Sequence, residues 1–367
     1  MIKENIVNET AMENLSIHAK EILIEKNPFK NLKIENYRYA QLHKNIEPKN
    51  NLIKSSLDKD LSQLATDISN HPFTQIDLRS NIDNWEFSNT DSFFRVSSLA
   101  NRSSVSINLD DFKENSLFLN ISNLSKNMTI QKKSHNHQTL ILLNHNNDDE
   151  IPKSIIFDIA ENTNLEIIQY DISNRKSFLY FEVKQANNSN FNFISFQSNN
   201  THIRNEFFSI LGEKCNFELS GLNFNNFGVN DNYSFIQHAK PSSSSREVFK
   251  SILKNGAITN FQGKIYVDSI AQKTDGYQMS RSLLLDNNSK ANNKPELEIY
   301  ADDVKCSHGS TVSKIDQDQI FYFNSRGISK EVANLLLQKA FIVETLSNIQ
   351  SKDIKDFSLN LLDNLLT

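Results

Sequence analysis

The chain of 367 residues is long enough to form more than one structural region, and its formal net charge is −5. Lys and Arg are scattered, which excludes a basic face for nucleic acid, and no run of residues is apolar enough to span a membrane. Two cysteines exclude a disulfide framework, and the polar, acidic start lacks the core of a signal peptide. We therefore predict a cytoplasmic protein with neither nucleic-acid nor membrane partners.

Residues 1–85 are predicted to form an N-terminal helical region. The stretches AMENLSIHAKEILIEK (11–26) and NLIKSSLDKDLSQLATDI (51–68) place apolar residues at helical spacing. The first of them ends at Asn27-Pro28, where a helix is expected to stop.

Residues 86–314 read as short alternating strands separated by Asn-rich corners. Asn164, Asn190 and Asn216 are 26 residues apart each time and precede the strand starts LEI, FNF and FEL, with a weaker copy at Gln138. A fixed period of this size indicates stacked repeats, and strands without intervening helices favour a mainly β fold with a parallel β-helix core. Because Asn tolerates left-handed turns, it can replace Gly at the corners. A sandwich or barrel fits the period less well, and a meander with coincidental spacing remains the alternative.

Residues 315–367 are predicted to form a C-terminal helical domain. Asp316 and Ser329 suit N-caps, Gly327 suits the position just after a helix, and FSLNLLDNLL (357–366) reads as a final short helix. An apolar stripe that includes Val332, Leu336 and Val343 leaves two interpretations: packing among these helices, or a face for a partner.

A long composite signature lies in residues 271–341. QKTDxYQ, an LLL run, PELEIYADDVKCSHGxTV and FYxxSRGI follow one another in order. This run resembles the SufB/SufD family of iron–sulfur cluster assembly proteins and is most similar to its SufD members. SREVFKSILKNGAITNFQGKIYV (245–267) and LKIENYRYAQL (32–42) support the resemblance, with Tyr37 at a usual Trp position. Tyr233 stands where His is common, although His238 is kept, and Gly276 replaces a usual Ala.

The resemblance implies a right-handed parallel β-helix flanked by N-terminal and C-terminal helical regions. It also implies a non-catalytic scaffold subunit that pairs with SufB through the β-helix and binds SufC, an ABC-type ATPase, through the C-terminal helices. The ATPase-docking residues expected on this basis are Phe321, Tyr322, Arg326, Gly327, Leu336 and Phe341. No Walker-type motif is present in the sequence, so we expect ATP hydrolysis to belong to a partner.

Cys306 and His308 are the candidate metal ligands. At strand period two they share a face about 7 Å apart, and thiolate and imidazole both bind iron. A cluster generally needs four protein ligands, so the chain is not expected to hold one alone. The family context predicts a transient iron–sulfur cluster shared with a partner chain. The alternative is a small buried apolar Cys306 and a strand-end His308 without metal chemistry.

Other chemistry is weaker in the sequence. Asp302 and Asp303 point to opposite faces if they lie in a strand, so a turn or interface role is expected. The histidines of SHNHQ (134–138) lack supporting ligands at metal-site spacing, and Cys215 belongs to a repeat corner. The alternative functions are a structural β-helix homodimer without metal chemistry and, less favoured, a β-helix carbohydrate-active enzyme. The enzyme would need a column of Asp, Arg or Lys on successive coils, and the repeat strands show none.

Overall fold

A computed structural model describes residues 65–70, 74–76, 104–122, 124, 127–145, 153–173, 176–199 and 201–366. The predicted helix 11–26 and the segment 32–42 lie outside the described residues, and of the predicted helix 51–68 only the end is described, as helical residues from 65 onward. The strands, in chain order, are β1 Thr74–Gln75, β2 Ser104–Asn108, β3 Ser116–Asn120, β4 Asn127–Lys132, β5 His137–Asn144, β6 Lys153–Ile159, β7 Asn164–Ser173, β8 Ser177–Gln185, β9 Asn190–Asn199, β10 His202–Leu211, β11 Asn216–Asn225, β12 Val229–His238, β13 Ser244–Leu253, β14 Ile258–Val267, β15 Thr274–Leu284, β16 Lys290–Ile299 and β17 Val304–Lys314. A 3₁₀ turn, Leu109–Asp111, follows β2.

The strands alternate between two parallel sheets. Among the described residues, the odd-numbered strands form a nine-stranded sheet in the order β1 to β17, and the even-numbered strands form an eight-stranded sheet from β2 to β16. Each coil of the chain therefore adds one strand to each sheet, and every pairing is with the strand one coil away. The predicted parallel β-helix is confirmed. Its first strand, β1, precedes the predicted start at residue 86.

The predicted Asn column is present at one corner of the β-helix. Asn164, Asn190 and Asn216 are register partners on β7, β9 and β11. The Asn190 side-chain amide donates to Asn164 Oδ1 over 2.6 Å, across a spacing of 26 residues. The weaker copy was misplaced by one residue, because His137 and not Gln138 pairs with Asn164.

Left-handed corners stand beside this column. Asn162, Asn188 and Lys214 have φ of 58°, 56° and 54°, and each lies two residues before a member of the Asn column. Asn is among the residues that best tolerate this conformation, which confirms the prediction that Asn replaces Gly at corners. Lys214 and, at later corners, Ser242 and Lys273 show that the fold imposes the conformation on other residues too.

Stacked apolar side chains fill the space between the two sheets. Phe157 lies 5.4 Å from Phe191 between ring centroids, and Phe181 lies 4.9 Å from Phe193. These rings come from both sheets and from successive coils, and all four are buried. No coil could bury them alone, so stacking of neighbouring coils is what removes this surface from water.

Three helices follow the β-helix: α1 Gln317–Ser325, α2 Lys330–Leu346 and α3 Lys352–Leu366. As predicted, Asp316 accepts from Asp318 N at the start of α1, and Ser329 accepts from Val332 N at the start of α2. Gly327 has φ of 82°, and its N–H bonds the Asn324 carbonyl in a Schellman-type end. No helix among the described residues is long and apolar enough to cross a membrane.

Helices α2 and α3 pack against the outer face of the nine-stranded sheet. Ile342, Leu346 and Leu362 join a buried cluster with Tyr170 and Phe196 of β7 and β9. The sequence had suggested either packing among the helices or a partner face for this apolar surface. Much of it instead covers the sheet, because the odd strands carry apolar residues on both faces.

Candidate functional site

The candidate site lies on β17, the last strand of the nine-stranded sheet. Both β17 and β16 occupy sheet ends, so one hydrogen-bonding edge of each strand faces away from the rest of the β-helix. Their residues are half-buried or exposed throughout, in contrast to the buried strands β7 to β13. An edge of this kind is where another strand can add to a sheet.

Cys306 is half-buried and faces the interior. Its register partner is Gly276 on β15, and it packs against the interior core cluster. Burial raises the pKa of the Cys306 thiol and the nearby Asp275 carboxylate adds to this, while a hydrogen bond from the Gly276 backbone lowers it. The thiol is thus protonated at neutral pH, and a bound metal ion would have to displace the proton.

His308 is exposed and lies two residues further along the same strand, so the predicted shared face is confirmed. Its register partner is Gln278 on β15, which in turn pairs with Glu247 on β13. Both Gln278 and Glu247 are fully buried, and the Gln278 amide nitrogen lies 2.5 Å from Glu247 Oε2. Burial raises the pKa of Glu247 to about 7.

Sequence reasoning missed Glu247 and Gln278 as neighbours of this site. Gln278 ends the QKTDxYQ motif and Glu247 lies in SREVF, so both stood in recognised segments. Their alignment was hidden because coil length changes: Glu247 and Gln278 are 31 residues apart, whereas the Asn column repeats every 26.

Thiolate and imidazole on one face of an open edge can bind iron, but they form only half of a ligand set. Among the described residues, no group of three or more His, Cys, Asp and Glu side chains is placed to hold a metal ion. Cys215, the second cysteine, is buried at another corner, where its Sγ lies 3.1 Å from the Ala186 carbonyl. Both cysteines are free thiols.

The remaining candidate residues have local partners. His135 Nδ1 lies 2.8 Å from the Asn162 carbonyl, and His145 Nδ1 lies 2.6 Å from the Ile172 carbonyl. His137 Nε2 lies 3.3 Å from Thr139 Oγ1. Asp302 and Asp303 lie in the bend before β17.

His238 and Tyr233 both lie on β12, in the interior and on the outer face respectively. His238 is buried and contacts Ser245 Oγ over 2.8 Å, and burial lowers its pKa to about 4. The Tyr233 ring lies 5.5 Å from the Phe208 ring between centroids, on the outer face of the even-stranded sheet.

The residues expected to dock an ATPase separate into two groups. Phe321, Tyr322 and Leu336 are exposed, at 74%, 57% and 41% respectively. Arg326 lies over the Tyr322 ring at 5.4 Å, next to Gly327. Phe341 is instead half-buried against the β-helix, where Lys250 lies 5.6 Å from its ring and donates to its carbonyl.

Comparison with known proteins places this geometry in a family. The sequence model of the family described as "SUF system FeS cluster assembly, SufBD core domain" matches residues 124–341, more than half of the chain. The chain belongs to the SufB/SufD family. The family takes part in iron–sulfur cluster assembly, and the matched region spans the β-helix from residue 124 to the last strand and continues into α2.

Two of three similar proteins are named for iron–sulfur cluster assembly, and the third is named as a chloroplastic protein. The iron–sulfur cluster assembly protein SufD of Escherichia coli is 40% identical over 127 residues, which cover 35% of this chain and 30% of that protein. The SufBD family protein slr0076 of Synechocystis is 40% identical over 121 residues, covering 33% and 27%. Protein ABCI7, chloroplastic, of Arabidopsis thaliana is 39% identical over 137 residues, covering 37% and 29%. Each match spans less than a third of the relative's length.

Proposed function

We propose that this SufB/SufD family member is a non-catalytic scaffold subunit that holds half of a transient iron–sulfur cluster site at the β17 edge. The observation that carries the proposal is the placement of Cys306 and His308 on one face of a strand that ends its sheet. The cluster is cargo of the assembly, and a second chain supplies the remaining ligands. Cytoplasm remains the expected compartment, although one relative is named as chloroplastic.

The second chain is a SufB-like scaffold. Its β-helix would continue the ladder beyond β16 and β17, which favours main-chain pairing between subunits. Exposed apolar side chains surround this end of the β-helix: Ile270, Ile299, Tyr300 and Val312. Exposed apolar side chains on and beside edge strands are typical of an interaction surface.

A SufC-like ATPase is the partner of α1 and α2. Exposed Phe321 and Tyr322 on α1 and Leu336 on α2 offer the aromatic and aliphatic anchors that such interfaces use. Lys250 of β13 bonds both the Phe341 carbonyl and Glu344 of α2, at 2.8 and 3.0 Å. Movement of α2 by the ATPase would therefore act directly on the sheet that carries His308.

The decisive experiment is His308→Ala in a complex co-expressed with the SufB-like and SufC-like partners, followed by iron and sulfide analysis. We expect a loss of most bound iron and sulfide, with the complex intact on size exclusion. His145→Ala is the matched control, because His145 directly follows β5 of the same sheet and its Nδ1 lies 2.6 Å from the Ile172 carbonyl. Undiminished cluster content in His308→Ala would overturn the ligand role.

Size exclusion of the chain with and without its partners tests the alternative of a structural homodimer. A stable homodimer that resists exchange with the SufB-like chain, and that binds no iron when mixed with it, would support a purely structural role. Formation of a mixed complex supports the scaffold proposal.

A further inference from the structure

A column of three polar side chains runs toward the open end of the nine-stranded sheet. Glu247, Gln278 and His308 are register partners on β13, β15 and β17. Register partners on parallel strands project on the same side of a sheet, and neighbouring strands lie about 4.8 Å apart. The side chains of Gln278 and His308 are therefore within reach of each other.

The contact with Glu247 sets the orientation of the Gln278 side-chain amide. The amide nitrogen donates to Glu247 Oε2 over 2.5 Å, and the carboxylate can only accept hydrogen bonds once it is ionised. Gly263 on the opposite sheet makes room for this arrangement, since a Cβ there would overlap the Gln278 amide.

The oxygen of the same amide is the unused group. Gln278 is fully buried, and its Oε1 has no hydrogen-bond partner within the described part of the chain. A buried amide oxygen without a donor destabilises the fold, so a donor on the adjacent strand would be strongly favoured. His308 is the residue in register on that strand.

We propose that Gln278 is a positioning residue for His308: its Oε1 accepts a hydrogen bond from one ring N–H of His308. The other ring nitrogen then keeps its lone pair and faces the open edge, where it can bind a borderline metal ion such as Fe²⁺. This inference rests on the proposed function, since it explains how a histidine on an exposed edge is held ready to bind metal. Metal-binding histidines commonly donate their second ring nitrogen to a carbonyl or carboxylate in this way.

The test is the tautomer of His308 in the full chain without metal. We would record the ring ¹⁵N resonances at about pH 8.5, above the Glu247 pKa of about 7, with His308→Gln identifying the pair. In the unchanged chain we expect one protonated and one unprotonated nitrogen, with widely separated shifts. In Gln278→Leu the separation should shrink by about half or more, because both tautomers become populated.

Matched variants keep the test interpretable. Gln169→Leu makes the same change at another fully buried glutamine of the same sheet, on β7, and should leave the His308 resonances unchanged. Gln278→Met also removes the acceptor at nearly constant length, and it decides the matter if Gln278→Leu does not fold. An averaged ring in the unchanged chain, or an unaltered separation in the folded Gln278 variant, overturns the proposal.

The outcome is separable from that of the proposed function. In the complex, Gln278→Leu should weaken iron retention about 10- to 100-fold, as loss of an orienting partner does at other metal sites. If His308→Ala leaves cluster content unchanged while the ring resonances respond to Gln278, the ligand role fails and the positioning contact stands. If the His308 ring resonances do not respond to the Gln278 substitution but His308→Ala loses iron, the positioning contact fails and the ligand role stands.

Discussion

The hydroxyl oxygen of Tyr170 on β7 lies 2.9 Å from Ser358 Oγ on α3, although the two residues are 188 positions apart. Both side chains are buried, and Ser358 also donates to the Ile354 carbonyl within its own helix. This contact and the Lys250–Glu344 ion pair attach the C-terminal helices to separate strands of one sheet. Helices α2 and α3 are thus packed onto the β-helix as one structural unit.

Tyr170→Phe should lower the free energy of unfolding by about 1 kcal/mol, the usual net value of one internal hydrogen bond. Urea denaturation of the full chain measures it. Tyr300→Phe removes an exposed hydroxyl that bonds Glu298, and we expect a change within about 0.5 kcal/mol. Equal effects of the two changes would show that the buried contact contributes nothing beyond a surface one.

Glu247 predicts an unusual pH dependence of stability. Burial raises its pKa from 4.5 to about 7, so between these values the folded chain holds a proton that the unfolded chain releases. The contribution of Glu247 to the free energy of unfolding is therefore fully present below pH 4.5 and is lost as the pH rises through about 7. The total loss is about 3 kcal/mol at most.

The Glu247→Gln variant carries an amide, which cannot ionise, in place of the carboxyl. Its free energy of unfolding should therefore fall less than that of the unchanged chain between about pH 5 and pH 8. Urea denaturation at both pH values gives the difference. Glu161→Gln, at an exposed corner, is the control and should follow the unchanged chain. Identical pH profiles for Glu247→Gln and the unchanged chain would contradict the buried, protonated carboxyl.

The two thiols should react at very different rates with a disulfide reagent. Cys306 is half-buried at the open edge, whereas Cys215 is 2% exposed. We expect one thiol to react in the native chain, more slowly than a free thiol because its pKa is raised, and both to react after unfolding. Cys306→Ser should abolish the native reaction, and a native reaction that instead disappears in Cys215→Ser would refute this assignment.

Gly221 and Gly276 are both interior glycines that should respond differently to alanine. A Cβ at Gly221 would overlap the ring of Phe249, which is packed 4.9 Å from Phe261 between centroids. Gly221→Ala should cost about 1–3 kcal/mol of unfolding free energy through overpacking. At Gly276 the added Cβ would lie 3.2 Å from Cys306 Sγ, which can rotate at the open edge.

Gly276→Ala, the matched control, should therefore cost less than about 1 kcal/mol. Thermal and urea denaturation of the two variants compare them directly. A larger loss in Gly276→Ala than in Gly221→Ala would mean that the open end is packed as tightly as the interior.

The exposed residues of α1 and α2 should affect binding without affecting stability. Phe321→Ala combined with Leu336→Ala removes side chains that are 74% and 41% exposed, so the unfolding free energy should change by less than about 1 kcal/mol. Affinity for the SufC-like ATPase should fall more than about tenfold, as expected for interface anchors. Calorimetry measures both the unfolding free energy and the affinity. Ile270→Ala, a change at an exposed residue near the open end of the β-helix, should leave the affinity for the ATPase unchanged.

The sequence by itself determined the strands, the 26-residue Asn column, the helix caps at Asp316 and Ser329, and the shared face of Cys306 and His308. These features depend on local periodicity, turn chemistry and capping, which neighbouring residues specify. Only the tertiary structure decided that α2 and α3 cover the outer face of the sheet, since an apolar stripe defines a buried face but not what buries it. It alone brought Glu247 and Gln278 into register with His308, because the coils lengthen from 26 to 31 residues and the stacking of whole coils sets that alignment.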